Sequence, residues 1–79
     1  MIKLYTANNC GACMTVQAIL EGNGLTKGEH FQLTNIDEDK KAGEYIRSNY
    51  MGVPVTEYND LTAVGVQMDT LNKMIEAIK

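Results

Sequence analysis

The segment Asn9-Cys10-Gly11-Ala12-Cys13-Met14 decides the fold, because it holds both cysteines of the 79-residue chain and separates two different patterns of apolar residues. Before it, Ile2 to Tyr5 is a short run that favours a β-strand, and it stops at turn-forming asparagines. After it, apolar side chains recur every three or four residues as far as the glycines at 22 and 24, which predicts a helix from residue 11 to about 23. The cysteine pair therefore stands where a strand passes into a helix.

The middle of the chain predicts a second strand and a second helix. His30 to Asn35 contains Phe31 and Leu33, which suit a short strand. The carboxylates of residues 37–39 then stand where a helix N-terminus favours negative charge. Helical spacing of apolar residues follows, and it is continued by Met51. We interpret the acidic run itself as a solvated helix start.

The C-terminal third predicts a β-hairpin and a last helix. Residues 53–58 and 61–66 are β-favouring runs around an Asn59-Asp60 turn, with Pro54 among the first residues of the hairpin. Asp69 is the expected N-cap of the last helix. That helix carries one apolar stripe, formed by Leu71, Met74, Ile75 and Ile78.

The element order is therefore βαβαββα, an α/β chain with three helices. A strand–helix–strand beginning implies a right-handed crossover and a parallel pair, whereas the hairpin is antiparallel, so the four-stranded sheet should be mixed. This order resembles that of the thioredoxin fold. The chain shows neither an internal repeat nor a linker, and residues 1–79 are expected to form a single domain.

Composition narrows the range of partners. Ten acidic and seven basic residues give a net charge of −3, and the basic residues are scattered, so nucleic-acid binding is not expected. No stretch approaches the roughly 18 apolar residues of a membrane span, and the N-terminus lacks the apolar region of a signal peptide. We expect a cytoplasmic protein, a monomer, that does not bind a membrane.

The cysteine pair predicts thiol–disulfide chemistry. A thiol at a helix N-terminus faces unpaired N–H groups and the positive end of the helix dipole, which favour the reactive thiolate. Cys10 is the expected nucleophile. Cys13 lies almost one turn later and closer to the core, so it is the expected resolving thiol. The small residues Gly11 and Ala12 permit the tight ring and leave a flat approach for a partner.

Other interpretations of the pair remain open from the residues alone. The pair could be a structural disulfide that stabilises the start of the helix, although closing so short a loop removes little conformational entropy from the unfolded chain. Two thiolates at this spacing could also form half of a zinc site, which would require a zinc-bridged dimer because the single histidine, His30, lies in another element and is interpreted as a surface residue. The pair could be inert, or the chain could be a non-catalytic binding module. The methionines, including Met14 and Met68, are interpreted as core or rim filler.

The whole chain resembles a glutaredoxin, and it is most similar to the glutaredoxin-like NrdH-redoxins. The resemblance rests on Leu4-Tyr5-Thr6 before the cysteines, on the cysteine pair, on Val53-Pro54, and on the spacing of Gly65 and Asp69. Departures from the family pattern include Ala7 where a lysine is common and Gly52 where a threonine precedes the Val-Pro pair.

The resemblance implies a site around the cysteines. Pro54 would follow a cis peptide bond and bring the backbone of Val53 beside the disulfide, where it pairs with a substrate strand. Gly65 and Asp69 would line the partner groove, and Tyr5 would lie close to it. The resemblance also implies that no metal or organic cofactor is bound. Electrons would come from thioredoxin reductase or glutathione and pass to a disulfide-bearing protein such as ribonucleotide reductase.

Overall fold

All 79 residues are described by a computed structural model, in which the seven expected elements follow one another in the expected order. They are β1 (Ile2–Thr6), α1 (Gly11–Gly22), β2 (Phe31–Asn35), α2 (Lys40–Asn49), β3 (Val55–Tyr58), β4 (Leu61–Val64) and α3 (Met68–Ile78).

The four strands form one mixed sheet in the order β2-β1-β3-β4. β1 and β2 are parallel, with Ile2 opposite Phe31, because α1 carries the chain back to the start of the sheet. β3 runs antiparallel to both β1 and β4. The predicted mixed sheet and the α/β thioredoxin fold are confirmed.

One face of the sheet carries the main core. Ile2 and Leu4 of β1 are fully buried, whereas Lys3 between them is exposed, as the two-residue period of a strand requires. The predicted apolar stripes of α1 and α3 cover this face. The core cluster consists of Ile2, Leu4, Val16, Leu20, Leu25, Phe31, Ala63, Leu71, Met74 and Ile75.

Helix α2 covers the opposite face. Ile46 of α2 and Val55 of β3 are fully buried without belonging to the main cluster. Tyr45 of α2 packs against Tyr5 of β1, with ring centroids 5.8 Å apart. Tyr5 stands opposite Val55 in the sheet.

The N-terminus of α2 lies at the acidic run as predicted, but its C-terminal end differs from the prediction. The helix begins at Lys40, after the acidic run, because the side chain of Asp39 accepts a hydrogen bond from the N–H of Ala42 at 3.0 Å and so caps it. It ends at Asn49, and Tyr50 is already extended. Met51 is therefore fully exposed, and its placement in the helical apolar pattern was wrong.

The start of α3 also differs from the prediction. The N-cap position is occupied by Gln67, and Asp69 lies in the first turn, so the expected Asp69 cap was wrong. The reason lies in the preceding turn: Gly65 has a φ of +76°, which ends β4 at Val64 and begins the helix early. The Gln67 side chain accepts a hydrogen bond from the N–H of Val64 at 2.7 Å instead of capping the helix.

The expected hairpin turn is present. Tyr58 pairs with Leu61 across a two-residue loop, and Asn59 takes a φ of +54°, which asparagine tolerates better than most residues. The longest helix, α1, has 12 residues, and none of the three helices is long and apolar enough to cross a membrane.

Candidate active site: a disulfide at a helix N-terminus

Cys10 and Cys13 form a disulfide at the N-terminus of α1, with their Cα atoms 5.3 Å apart. Cys10 is the N-cap residue, held in an extended conformation between β1 and the helix, and it is partly exposed. Cys13 lies in the first turn and is 3% exposed. The two cysteines therefore differ in access to an incoming partner.

Backbone groups of α1 face the sulfur of Cys10. The N–H of Cys13 donates a hydrogen bond to the Sγ of Cys10 at 3.1 Å, as an N-cap oxygen would accept one. The N–H of Met14 donates to the carbonyl oxygen of Cys10 at 3.3 Å. In the reduced protein, an N–H donor and the positive end of the helix dipole at this position favour a negative sulfur.

A cleft of about 300 Å³ opens beside the disulfide. Its lining carries no charged side chain. The lining residues are Thr6, Ala7, Asn9, Cys10, Gly11, Cys13, Met14 and Gln17.

Four of the five methionines are exposed, so Met14, Met51 and Met68 do not fill the core. Met14 is 71% exposed and borders the cleft, and Met51 and Met68 are also exposed. Only Met74 is buried in the core. Sequence reasoning missed Met14 because it follows a buried cysteine, and the helical period that buries Cys13 turns the next residue outward.

The loop that leads into Cys10 is tied to the loop before α2. The N–H of Asn8 donates to the carboxylate of Asp37 at 2.8 Å, and the amide of Asn35 donates to the side-chain oxygen of Asn8 at 2.9 Å. The N–H of Asp37 in turn donates to the side-chain oxygen of Asn35 at 2.8 Å. Sequence reasoning missed this network, although the parallel pairing of β1 and β2 brings both strand ends to one edge of the sheet.

The Val53–Pro54 peptide bond is cis, as the resemblance implies. Pro54 is buried, and its carbonyl oxygen accepts a hydrogen bond from the N–H of Gly65 at 2.8 Å, so the predicted Gly65 contacts the proline segment directly. Val53 is partly exposed, and neither its N–H nor its carbonyl bonds to another backbone group.

The other predicted partner residues are distributed over several surfaces. Gly11 borders the cleft, whereas Ala12 is exposed on α1 outside its lining. Asp69 is exposed in the first turn of α3. Tyr5 lies under α2, not in the cleft lining.

Tyr5 belongs to a cluster of tyrosines around the carboxylate of Glu57. The hydroxyls of Tyr45 and Tyr50 both donate to Glu57, the latter at 3.2 Å. The hydrogen bond to Glu57 raises the pKa of Tyr45 well above its ordinary value of 10.0. Burial, and then the charge of Glu57, raise the pKa of Tyr5. The hydroxyls of Tyr5 and Tyr45 therefore stay protonated at neutral pH.

No group of three or more histidine, cysteine, aspartate or glutamate side chains lies close enough together to hold a metal ion. His30, expected at the surface, is partly exposed, and its Nδ1 accepts a hydrogen bond from the N–H of Thr26 at 2.9 Å.

The chain combines three features: a four-stranded mixed sheet, two cysteines at the start of the first helix, and a cis proline before the third strand. Together they define a thioredoxin-fold protein with a dithiol–disulfide site. Residues 2–61 match the glutaredoxin family profile. The chain belongs to the glutaredoxin family. The matched range includes both cysteines and Pro54, and it ends before Gly65 and Asp69.

Solved structures support the same assignment. The chain is similar to the glutaredoxin-like protein NrdH-redoxin from Escherichia coli, with 29% identity, a TM-score of 0.81 and 91% of each chain covered. The thioredoxin-like protein BC3987 shares 18% identity at a TM-score of 0.78, covering 94% of this chain and 99% of its own, and so shows the fold alone. A point mutant of BC3987 has 17% identity and the same TM-score, covering 95% of this chain and 99% of its own. No curated protein sequence matches the chain.

Proposed function

We propose that this chain is a thiol–disulfide oxidoreductase that reduces protein disulfides through Cys10 and Cys13. One observation carries the proposal: the disulfide joins a partly exposed sulfur at the helix N-cap to a buried sulfur in the first turn. An exposed nucleophile and a shielded resolving thiol are the two groups that such a reaction needs.

The reaction begins with the reduced pair. The Cys10 thiolate attacks one sulfur of the substrate disulfide, a mixed disulfide forms, and the other substrate sulfur leaves as a thiolate. Cys13 then loses its proton and attacks the Sγ of Cys10, which releases the second substrate thiol. The protein is left with the Cys10–Cys13 disulfide, so an external donor must supply two electrons, with one proton, to restore the Cys10 thiolate and the Cys13 thiol.

The segment before β3 is proposed to orient the substrate. The free N–H and carbonyl of Val53 offer an extended substrate strand two backbone hydrogen bonds. The buried Pro54 and its contact with Gly65 hold that segment. Gly11 and Ala12 leave room for the substrate, and Asp69 and Tyr5 act at the margin of this surface.

Thioredoxin reductase is the favoured electron donor, with glutathione as the alternative. Glutathione is an anionic tripeptide, and the cleft beside the disulfide has no lysine or arginine in its lining to bind its carboxylates. The structurally similar protein from Escherichia coli is described as having a thioredoxin-like activity profile, which supports the same donor. No bound cofactor is required by this chemistry.

Ribonucleotide reductase is the substrate that the family resemblance suggests, and similarity to NrdH-redoxin supports it. We place the activity in the cytoplasm, where reducing systems regenerate the dithiol. Residues 1–79 are proposed to act as one domain and as a monomer, without nucleic acid or membrane.

The test measures the reduction of insulin disulfides with two electron-donor systems. One contains NADPH and thioredoxin reductase, and the other contains NADPH, glutathione and glutathione reductase. Wild type should turn over faster with thioredoxin reductase. Cys10→Ser should abolish turnover, and Cys13→Ser should accumulate a mixed disulfide visible by mass spectrometry. Turnover by Cys10→Ser, or no turnover by wild type with either donor, would overturn the proposal and leave the non-catalytic module or zinc-bridged dimer in its place.

A further inference from the structure

Three sulfur-bearing residues line one cleft at the start of α1: Cys10, Cys13 and Met14. Cys13 and Met14 lie three and four residues after the N-cap Cys10, so each lies about one helical turn from Cys10, although Cys13 turns inward and Met14 outward. All three residues border the same cleft. Met14 is 71% exposed, so its long unbranched side chain can rotate toward the cysteines.

We propose that the reduced protein binds one Cu(I) ion through the sulfurs of Cys10, Cys13 and Met14. Thiolate and thioether sulfurs are soft ligands, which select Cu(I) over harder cations. The rest of the cleft lining contains no histidine, aspartate or glutamate, so the three sulfurs are its only soft donors. A structural Zn²⁺ site requires four ligands, and this cleft provides three.

The charge of the complex suits its position. Two thiolates and one Cu(I) ion carry a net charge of −1, whereas two thiolates and one Zn²⁺ ion are neutral. The N-terminus of a 12-residue helix favours the anionic complex, and the N–H of Cys13 already points at the sulfur of Cys10. The helix that favours the thiolate for disulfide exchange therefore also favours the copper dithiolate.

Binding involves no change of oxidation state. Cu(I) replaces the protons of the two thiols, so two protons are released, and the Met14 thioether adds as a neutral third ligand. The disulfide form has no thiolate to offer and does not bind in this way. The inference uses the same cysteine pair as the proposed function, and it makes disulfide reduction and copper binding mutually exclusive.

The test is an anaerobic competition for Cu(I) between the phosphine-reduced, desalted protein and the chelator bathocuproine disulfonate, followed by the absorbance of the copper–chelator complex. Reduced wild type should take up one Cu(I) per chain, with an affinity that rises with pH because protons are released. Met14→Leu keeps the size and polarity of the side chain but removes the sulfur, and it should weaken binding about tenfold or more. Met51→Leu, a change at an exposed methionine outside the cleft, should leave the affinity unchanged.

Equal affinity of Met14→Leu and wild type, or equal binding by the oxidised protein, would overturn the three-sulfur site. X-ray absorption at the copper edge should show sulfur ligands only. Copper uptake and insulin reduction are separate readings: a protein that reduces insulin but takes up no Cu(I) refutes only this inference. One that binds Cu(I) but reduces no disulfide refutes only the proposed function.

Discussion

The N–H of Asn8 donates a hydrogen bond of 2.8 Å to the carboxylate of Asp37, a residue 29 positions later in the chain. Asn8 precedes the disulfide by two residues, and Asp37 precedes α2. The bond thus joins the loop that presents Cys10 to the loop that follows the neighbouring parallel strand. Such a contact can fix the approach to the disulfide without touching either sulfur.

Asp37→Ala should therefore slow disulfide reduction several-fold while lowering the free energy of unfolding by only about 1 kcal/mol, because one exposed hydrogen bond is lost. Asp37→Asn retains a side-chain oxygen and should restore most of the rate. The measurements are the rate of insulin reduction and urea unfolding of the same variants. Glu38→Ala is the matched control, and equal rates for it and Asp37→Ala would show that the bond does not position the loop.

Gly43→Ala should destabilise the protein although alanine is the better helix former. A Cβ on Gly43 would lie 2.9 Å from the backbone oxygen of Ile36 and 2.7 Å from the guanidinium of Arg47. Arg47 can move, but the backbone of Ile36 must shift, so we expect a loss of about 1–3 kcal/mol in urea unfolding.

Gly22 provides the matched control for this substitution, because it ends α1 and has no atom within 4 Å of the added Cβ. Gly22→Ala should be neutral or stabilising by up to about 1 kcal/mol. Two alanine variants of equal stability would contradict the close packing of α2 on the end of β2.

Thr56→Val should stabilise the protein. Thr56 is fully buried on β3, and its hydroxyl has no hydrogen-bond partner. Valine has nearly the same shape and retains the β-branch, so it removes an unsatisfied polar atom worth about 1–3 kcal/mol and leaves the packing intact. Denaturant unfolding measures the gain. The exposed Thr62 on β4 should show no comparable gain when changed to valine, and a loss at Thr56 would mean that its hydroxyl is satisfied in solution.

Alkaline pH should weaken the fold through Tyr5 and Tyr45. Both have pKa values above the ordinary 10.0 in the folded protein, so above pH 10 the unfolded chain releases protons that the folded chain retains. The contribution of these two tyrosines to the free energy of unfolding is therefore complete below pH 10, and it is lost as the pH rises through their raised pKa values. Ultraviolet titration of phenolate formation, with unfolding measured in parallel, tests this dependence.

Glu57→Gln removes the negative charge at the centre of the tyrosine cluster and should move phenolate formation to lower pH. Glu76→Gln, on the exposed face of α3, is the control and should leave the titration unchanged. An unchanged curve for Glu57→Gln would show that its carboxylate does not set the tyrosine pKa values.

Local sequence patterns were sufficient for the elements and for the cysteine pair. The β-favouring run of β1 and the apolar stripe of α3 each follow from one continuous stretch of chain, and both are confirmed. The errors fell at element ends. Asp69 has the chemistry of an N-cap, but the turn at Gly65 starts α3 at Met68 and makes Gln67 the N-cap residue. A cap depends on where the previous element stops, which propensity does not encode.

The sequence by itself determined the order of strands and helices, the mixed sheet, and the position of Cys10 and Cys13 at a helix start, because each depends on residues that are neighbours along the chain. Only the tertiary structure decided what surrounds the disulfide. It brought Asp37 to Asn8, left Met14 exposed beside the cysteines, and placed Tyr5 under α2 instead of in the cleft. Those contacts join residues that are distant in sequence or depend on which face of an element meets its neighbour, and both are set by the packing of the sheet and helices.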